Sequence, residues 1–220
     1  MALSIVVLIS GKGSNLRAIL EAIDAGTCNA DVRAVISDRD SAEGLALARS
    51  RGVETAVVAL KAYPDRAQWN DALRDRIASF EPALVVLAGF MKLLGPGTID
   101  RFAGRILNVH PSLLPLFPGV DGPAQAIAAR VRVSGCTVHV VDHGVDTGPI
   151  VAQAVVPVLA GDDVDRLHQR IQRAEHRLLP AVIDAVARGD VALAPQLRVA
   201  DAAFDAASVL YSPRLGLPPS

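Results

Sequence analysis

The sequence predicts an α/β domain with a mostly parallel central sheet, helices on both of its faces and an antiparallel addition. Three observations carry this. Short Val- and Ile-rich runs alternate with longer amphipathic stretches, the pattern of strands joined by covering helices. Two late runs are joined by a short Asp/Gly-rich loop, which suits an antiparallel pair. The 220 residues show no repeat, low-complexity tract or linker ahead of the tail, a length one sizeable core can accommodate.

Strands are expected at residues 5–9, 32–36, 55–58, 84–87, 105–109, 136–141 and 150–156, where β-branched residues concentrate. Helices are expected at residues 15–25, 42–51, 66–79 and 124–132. In the first, Leu16, Ile19, Leu20 and Ile23 recur at helical spacing with polar residues opposite. A longer helix over residues 165–187 sets Leu167, Ile171, Ala174 and Leu178 on one face, with a kink expected at Pro180. One domain is expected over residues 1–190, and residues 191–220 read as a C-terminal appendix packed on it or trailing from it.

Composition narrows the function. The formal net charge is −1, with no basic stripe, so nucleic acid is not favoured as a partner on charge grounds. Cys28 and Cys136 lack metal-ligand spacing and are too few for a disulfide framework, so free thiols in a reducing compartment are expected. The apolar N-terminus is short, without a basic flank or cleavage site, and no run approaches a membrane span. A cytoplasmic protein without a membrane partner is the expectation.

Residues 105–109 lead into the stretch that carries the chemistry. Asn108 and His110 alternate with Leu107 and Val109, so a period of two sends both polar groups to one side of a strand. Pro111 then stops the strand, leaving an amide and an imidazole at a strand end, where α/β proteins commonly place their chemistry. A pair of satisfied polar residues at a strand terminus stays open as the alternative.

The first strand runs into Ser10-Gly-Lys-Gly-Ser-Asn15 and directly into a helix. Gly11 and Gly13 let the backbone approach a ligand, and free N–H groups at the helix start favour an anion. Ser14 and Asn15 are placed to cap that helix or to contact the ligand. Leu16 occupies the third glycine position of a dinucleotide fingerprint, whose acidic partner would have to be Asp38, and the P-loop spacing is also missing. A single phosphate is therefore preferred over a pyrophosphate, against the alternative of a tight turn with no ligand.

Asp146 lies in the turn-rich His143-Gly-Val-Asp-Thr-Gly-Pro149. A carboxylate near His110 would favour the imidazolium, which could donate to a developing oxyanion beside the Asn108 amide. Asp142, His143 and His139 are read as solvent-exposed or locally capping. Ser112, boxed between prolines, lies outside any nucleophile-elbow motif. A zinc site on His139, His143 and a carboxylate lacks recognised spacing.

Val7-Leu-Ile-Ser-Gly-Lys-Gly-Ser-Asn-Leu16, Leu87-Ala-Gly-Phe-Met-Lys-Leu-Leu94, Leu107-Asn-Val-His-Pro-Ser-Leu-Leu-Pro115 and Asp146-Thr-Gly-Pro149 stand in the order seen in phosphoribosylglycinamide formyltransferases. The chain resembles that family from about residue 4 to about residue 190. The resemblance implies a Rossmann-like sheet and direct formyl transfer from 10-formyltetrahydrofolate, a co-substrate, to the amine of glycinamide ribonucleotide in purine biosynthesis, with no metal. It implies Asn108, His110 and Asp146 as the catalytic trio. It implies Gly11, Lys12, Gly13, Ser14, Asn15, Gly89, Gln172 and Glu175 around the ribonucleotide, and Arg66, Met91, Lys92, Leu93, Leu94, Asn108, Val141 and Asp146 around the folate. Leu114–Pro115 is implied as a cis peptide. A homodimer is the assembly the resemblance admits; the sequence itself carries no mark of it.

Two departures from the family pattern stand out. Many relatives have histidine where this chain has Asp121, in a loop near the site, and Lys12 stands at a variable position. Three rivals are weighed. A transfer-RNA formyltransferase would be expected to continue into a basic C-terminal domain, and a formyltetrahydrofolate hydrolase to carry an extra N-terminal one. A non-catalytic nucleotide-binding domain would be expected to have lost part of the trio, which is intact.

Overall fold

The computed structural model describes residues 1–193 and 197–199. The expected alternation is realised as β1 (Leu3–Ile9), α1 (Ser14–Asp24), β2 (Ala30–Ser37), α2 (Glu43–Ser50), β3 (Thr55–Val57), α3 (Arg66–Ala78), β4 (Leu84–Leu87), α4 (Pro96–Arg101), β5 (Ile106–His110), α5 (Gly122–Ala128), β6 (Val133–Val140), β7 (Ile150–Pro157) and α6 (Val164–Arg188). The sheet order is β3-β2-β1-β4-β5-β6-β7. The first five strands in this order are parallel, and β6 and β7 add antiparallel.

Two cores flank the sheet because its central strands are apolar on both faces. Ile5, Val7, Ile9, Val86, Leu107 and Val109 bury against α1, α2 and α6 through Leu16, Ile19, Leu45, Ile171 and Ile183. Val6, Leu8, Val85, Leu87 and Ile106 bury against Trp69, Leu73 and Ile77 of α3 and Phe102 beyond α4. Trp69 is wholly buried, and its indole N–H donates to the Val58 carbonyl at 2.8 Å, so the burial leaves no unmet donor.

Some boundaries and elements differ from the sequence expectation. α4 was not expected: its six residues are too few to show a period, although Pro96 opens it in the first-turn position where a missing N–H costs nothing. A single 3-10 turn at Leu60–Ala62 was likewise not expected. α5 starts two residues early and ends at Ala128, with Arg130 at φ 53 closing the turn, instead of running over 124–132. α6 continues through the buried Pro180 to Arg188 and ends on Gly189 at φ 83. Of the expected appendix, Val191–Ala192 pairs antiparallel with Arg198–Val199; residues 194–196 and 200–220 lie outside the described residues. Cys28 and Cys136 are buried free thiols. Among the described residues, no helix is long and apolar enough to cross a membrane.

Candidate active site

β1 is the point where the strand order turns, with β2 on one side and β4 on the other. Connections leaving the two neighbours diverge there, so a crevice opens at the strands' carboxyl ends. A cavity of about 390 Å³ fills it, bounded by Gly11–Asn15 after β1, Arg39 after β2, Ala88 and Gly89 after β4, and Val109 and Pro111 at the end of β5. α6 contributes His168, Gln172 and Glu175 as the remaining wall.

The loop after β1 is shaped by two glycines in contact. Gly13 sits at φ 73, and a Cβ there would meet the Gly44 Cα at 2.8 Å. The Gly44 N–H in turn donates to the Gly11 carbonyl at 3.1 Å, so the start of α2 backs the loop. Capping of α1 by Ser14 or Asn15 does not occur. Gly13 is the cap residue and makes no side-chain cap bond. The two side chains turn to α6 instead: Gln172 Nε2 donates to Ser14 Oγ at 3.0 Å, and Asn15 Nδ2 donates to Glu175 Oε2 at 3.0 Å. Burial pushes the Glu175 carboxyl above its ordinary value; the Asn15 hydrogen bond and the charge of His168 only partly oppose it. The Gly89 carbonyl accepts from Ser10 N–H at 3.0 Å, and Ser10 Oγ accepts from Met91 N–H at 2.8 Å, which ties the β1 and β4 loops together.

The β5 alternation places Asn108 and His110 on the sheet face opposite Leu107 and Val109. His110 is nearly buried, with Nδ1 3.3 Å from Asp146 Oδ2 and Nε2 donating to the Phe117 carbonyl at 2.9 Å. Asp146 reaches back from the β6–β7 connection at φ 55, and its Oδ2 also accepts from Gly119 N–H at 2.8 Å. The three residues expected to act together are therefore gathered in one place, with residues 117–119 folded over them.

A fourth member was not anticipated. His139 was read as exposed or locally capping, yet it is 2% exposed and joins the cluster. Antiparallel pairing sets His139 directly opposite Asn108 and Thr137 opposite His110, so all four side chains share a face. His139 Nδ1 faces the Val140 carbonyl at 3.1 Å, which can only accept, so that nitrogen carries a proton. Nε2 lies 3.1 Å from Asn108 Nδ2 and 3.5 Å from Asp146 Oδ1, so it accepts from the amide when the ring is neutral and donates to the carboxylate when the ring is charged. The signal was the register: once β6 is antiparallel to β5, its polar residues Thr137 and His139 must face Asn108 and His110.

Burial by itself would raise the Asp146 carboxyl. The contact with His139, the Gly119 N–H and the positive charge offered by His110 and His139 outweigh it, and its pKa lies below the ordinary value. Asp142 accepts from Gly144 N–H and Thr147 Oγ within its own loop, and His143 pairs with Asp100 at 3.0 Å on the surface, so His139 and His143 do not converge. Ser112 Oγ donates to the Leu116 carbonyl at 2.6 Å. Leu114–Pro115 is cis. A second cavity, of about 230 Å³, adjoins Asp146 and is lined by Leu114, Pro115, Pro118, Val145, Thr147, Gly148 and Ile150.

The chain matches the formyl transferase family over residues 3–183. It is 50% identical over 183 residues to a phosphoribosylglycinamide formyltransferase of Mycobacterium tuberculosis, covering 83% of this chain and 84% of the relative. The corresponding figures for the Escherichia coli protein of that name are 43% over 187 residues, 85% and 88%. The chain belongs to the phosphoribosylglycinamide formyltransferase family. The glycinamide ribonucleotide transformylase 1 of Symbiobacterium toebii superposes with a TM-score of 0.87 at 45% identity, covering 91% of this chain and 95% of that one.

Met91 and Leu93 are exposed beside the cleft, whereas Leu94 and Val141 pack on the smaller core. Arg66 Nη2 donates to the Leu93 carbonyl at 2.8 Å, with its guanidinium 5.2 Å from the Trp69 ring centre, so it braces this segment. Lys92 Nζ lies 4.0 Å from Asp38. Lys12 is exposed at the cavity rim. Asp121 is exposed at φ 60 and leads α5 without a side-chain cap.

Proposed function

We propose that the protein transfers a formyl group from 10-formyltetrahydrofolate to the amine of glycinamide ribonucleotide, by direct attack through a tetrahedral oxyanion. The observation that carries this reading is the convergence of Asn108, His110, His139 and Asp146 at the end of β5, whose Val109 and Pro111 line the same cavity as the Gly11–Asn15 loop. The family of the chain supports the reaction class, and the names of its relatives support the acceptor.

The chemistry follows from the donors. As an amine adds to a formyl carbon, charge moves onto the formyl oxygen. Asn108 spends one amide hydrogen on His139 and keeps the other for that oxygen. Asp146 Oδ2, 3.3 Å from His110 Nδ1, fixes the ring with Nε2 turned toward the Phe117 carbonyl. Its Nε2–H serves the oxygen once the Phe117 carbonyl yields its place. For the folate to leave, the attacking amine nitrogen loses one proton and the departing folate nitrogen gains one, while the formyl carbon–folate nitrogen bond breaks.

At the other end, Gly11 to Asn15, Gln172 and Glu175 take the phosphate and sugar, with Lys12 at the rim and Gly89 beneath. The apolar wall of Leu114, Pro115, Val145 and Ile150 next to Asp146 suits a flat ring system, so the residues present fit the folate. Arg66, Met91, Lys92, Leu93, Leu94 and Val141 complete that side of the reading. The test is formyl transfer by the purified protein to glycinamide ribonucleotide. His110→Ala should lose at least about a hundredfold in kcat, with thermal unfolding near that of wild type. Full activity in the variant would sink the mechanism, and no transfer by the wild type would sink the function.

A further inference from the structure

α6 presents a stripe to the cleft at positions 168, 172 and 175, the i, i+4, i+7 spacing of one helical face. Two of its three rungs are occupied. Glu175 accepts from Asn15 and Gln172 donates to Ser14, the first two residues of α1. The third rung, one turn nearer the start of α6, carries His168. Among the described residues it makes no hydrogen bond or ion pair, although it lines the same cavity as Gly11–Asn15.

Arg39 lines the same cavity. It follows β2, the neighbour of β1, and its N–H donates to Ser37 Oγ at 3.1 Å. Its half-exposed guanidinium lies 3.6 Å from the carboxylate of Asp38, whose side chain is 2% exposed. Asp38 therefore steers the arginine from beneath without occupying its donors.

We propose that His168 and Arg39 are the residues by which this site distinguishes a phosphomonoester from the same molecule without its phosphate. This rests on the reading that the Gly11–Asn15 loop takes the phosphate of the ribonucleotide. Backbone N–H groups and Ser14 alone would hold any small anion or hydroxyl. Two ionisable donors lining the same cavity from α6 and from the end of β2 add the charge-assisted contacts that favour a phosphomonoester. Glu175, buried and biased toward its neutral form, opposes them less than an exposed carboxylate would.

The test compares wild type, His168→Ala and Arg39→Gln with two acceptors, glycinamide ribonucleotide and its dephosphorylated ribonucleoside. It also includes calorimetric titration with ribose 5-phosphate, which needs no turnover. Each variant should lower the preference for the phosphorylated acceptor about tenfold, the worth of one charge-assisted hydrogen bond. The loss should appear in KM rather than kcat, with ribose 5-phosphate binding weakened to match. Equal losses on both acceptors would mark a structural role and overturn the proposal. Unchanged preference and unchanged ribose 5-phosphate binding would overturn it while leaving the phosphate reading of the loop intact. A wild type that binds no sugar phosphate would overturn both.

Discussion

Asp146 stands between two imidazoles, and that position explains why a single carboxylate can organise the site. One oxygen faces His110 Nδ1 and takes the Gly119 N–H; the other faces His139 Nε2. His139 in turn orients the Asn108 amide. Removing His139 leaves Asn108 Nδ2 and Asp146 Oδ1 without their partner in a site shielded from bulk water. His139→Ala is therefore expected to lower kcat about tenfold or more through a mispositioned amide. The KM for glycinamide ribonucleotide should stay near wild type, because the phosphate end is untouched. An effect confined to KM would show that His139 does not act through Asn108.

At the scale of elements, the first loop depends on one glycine more than on the other. Gly13 needs its φ of 73, and any Cβ there would strike backbone of α2, which cannot swing aside as a side chain can. Gly11 has open space where its Cβ would go. Gly13→Ala should cost about 1–3 kcal/mol in urea unfolding and weaken ribose 5-phosphate binding. Gly11→Ala should leave unfolding within about 0.5 kcal/mol of wild type. Equal stabilities for the two variants would remove the argument from glycine contact. Gly135 in β6 follows the same logic, since a Cβ there would sit 1.9 Å from the Ala154 carbonyl oxygen of β7.

For the whole molecule, the Asp146 cluster joins β5, β6, the β6–β7 connection and residues 117–119, so its charge state bears on global stability. The folded-state pKa of Asp146 lies below its ordinary value. As pH falls, the unfolded chain takes up the proton first. The stabilising contribution is complete above the ordinary carboxylate value, about 4, and disappears as pH drops through the lower folded value. Asp146→Asn should therefore be less stable than wild type at neutral pH. The gap, read from urea unfolding across pH, should narrow below about pH 4; a gap independent of pH would mean that the charge contributes nothing.

The strands, the long helices and the Asn108–His110 pair were legible in the chain because each leaves a local mark, whereas Asp146 stands in a loop where Asp and Gly are ordinary turn residues. Apolar runs and their periods reveal β1, β4 and α6, and a polar pair alternating on an apolar strand reveals Asn108 and His110. α4 left no such mark in six residues, and the partners of Ser14 and Asn15 lie 158 and 160 residues away on α6. The sequence by itself determined the α/β architecture, the glycine loop and the Asn108–His110 pair, since these follow from spacing along one strand or helix. Only the tertiary structure decided that His139 belongs with them, that the loop side chains bind α6 instead of capping α1, and that Arg39 and His168 face one cavity. Those are matters of strand register and of which helix closes which wall, set by contacts between residues far apart in the chain.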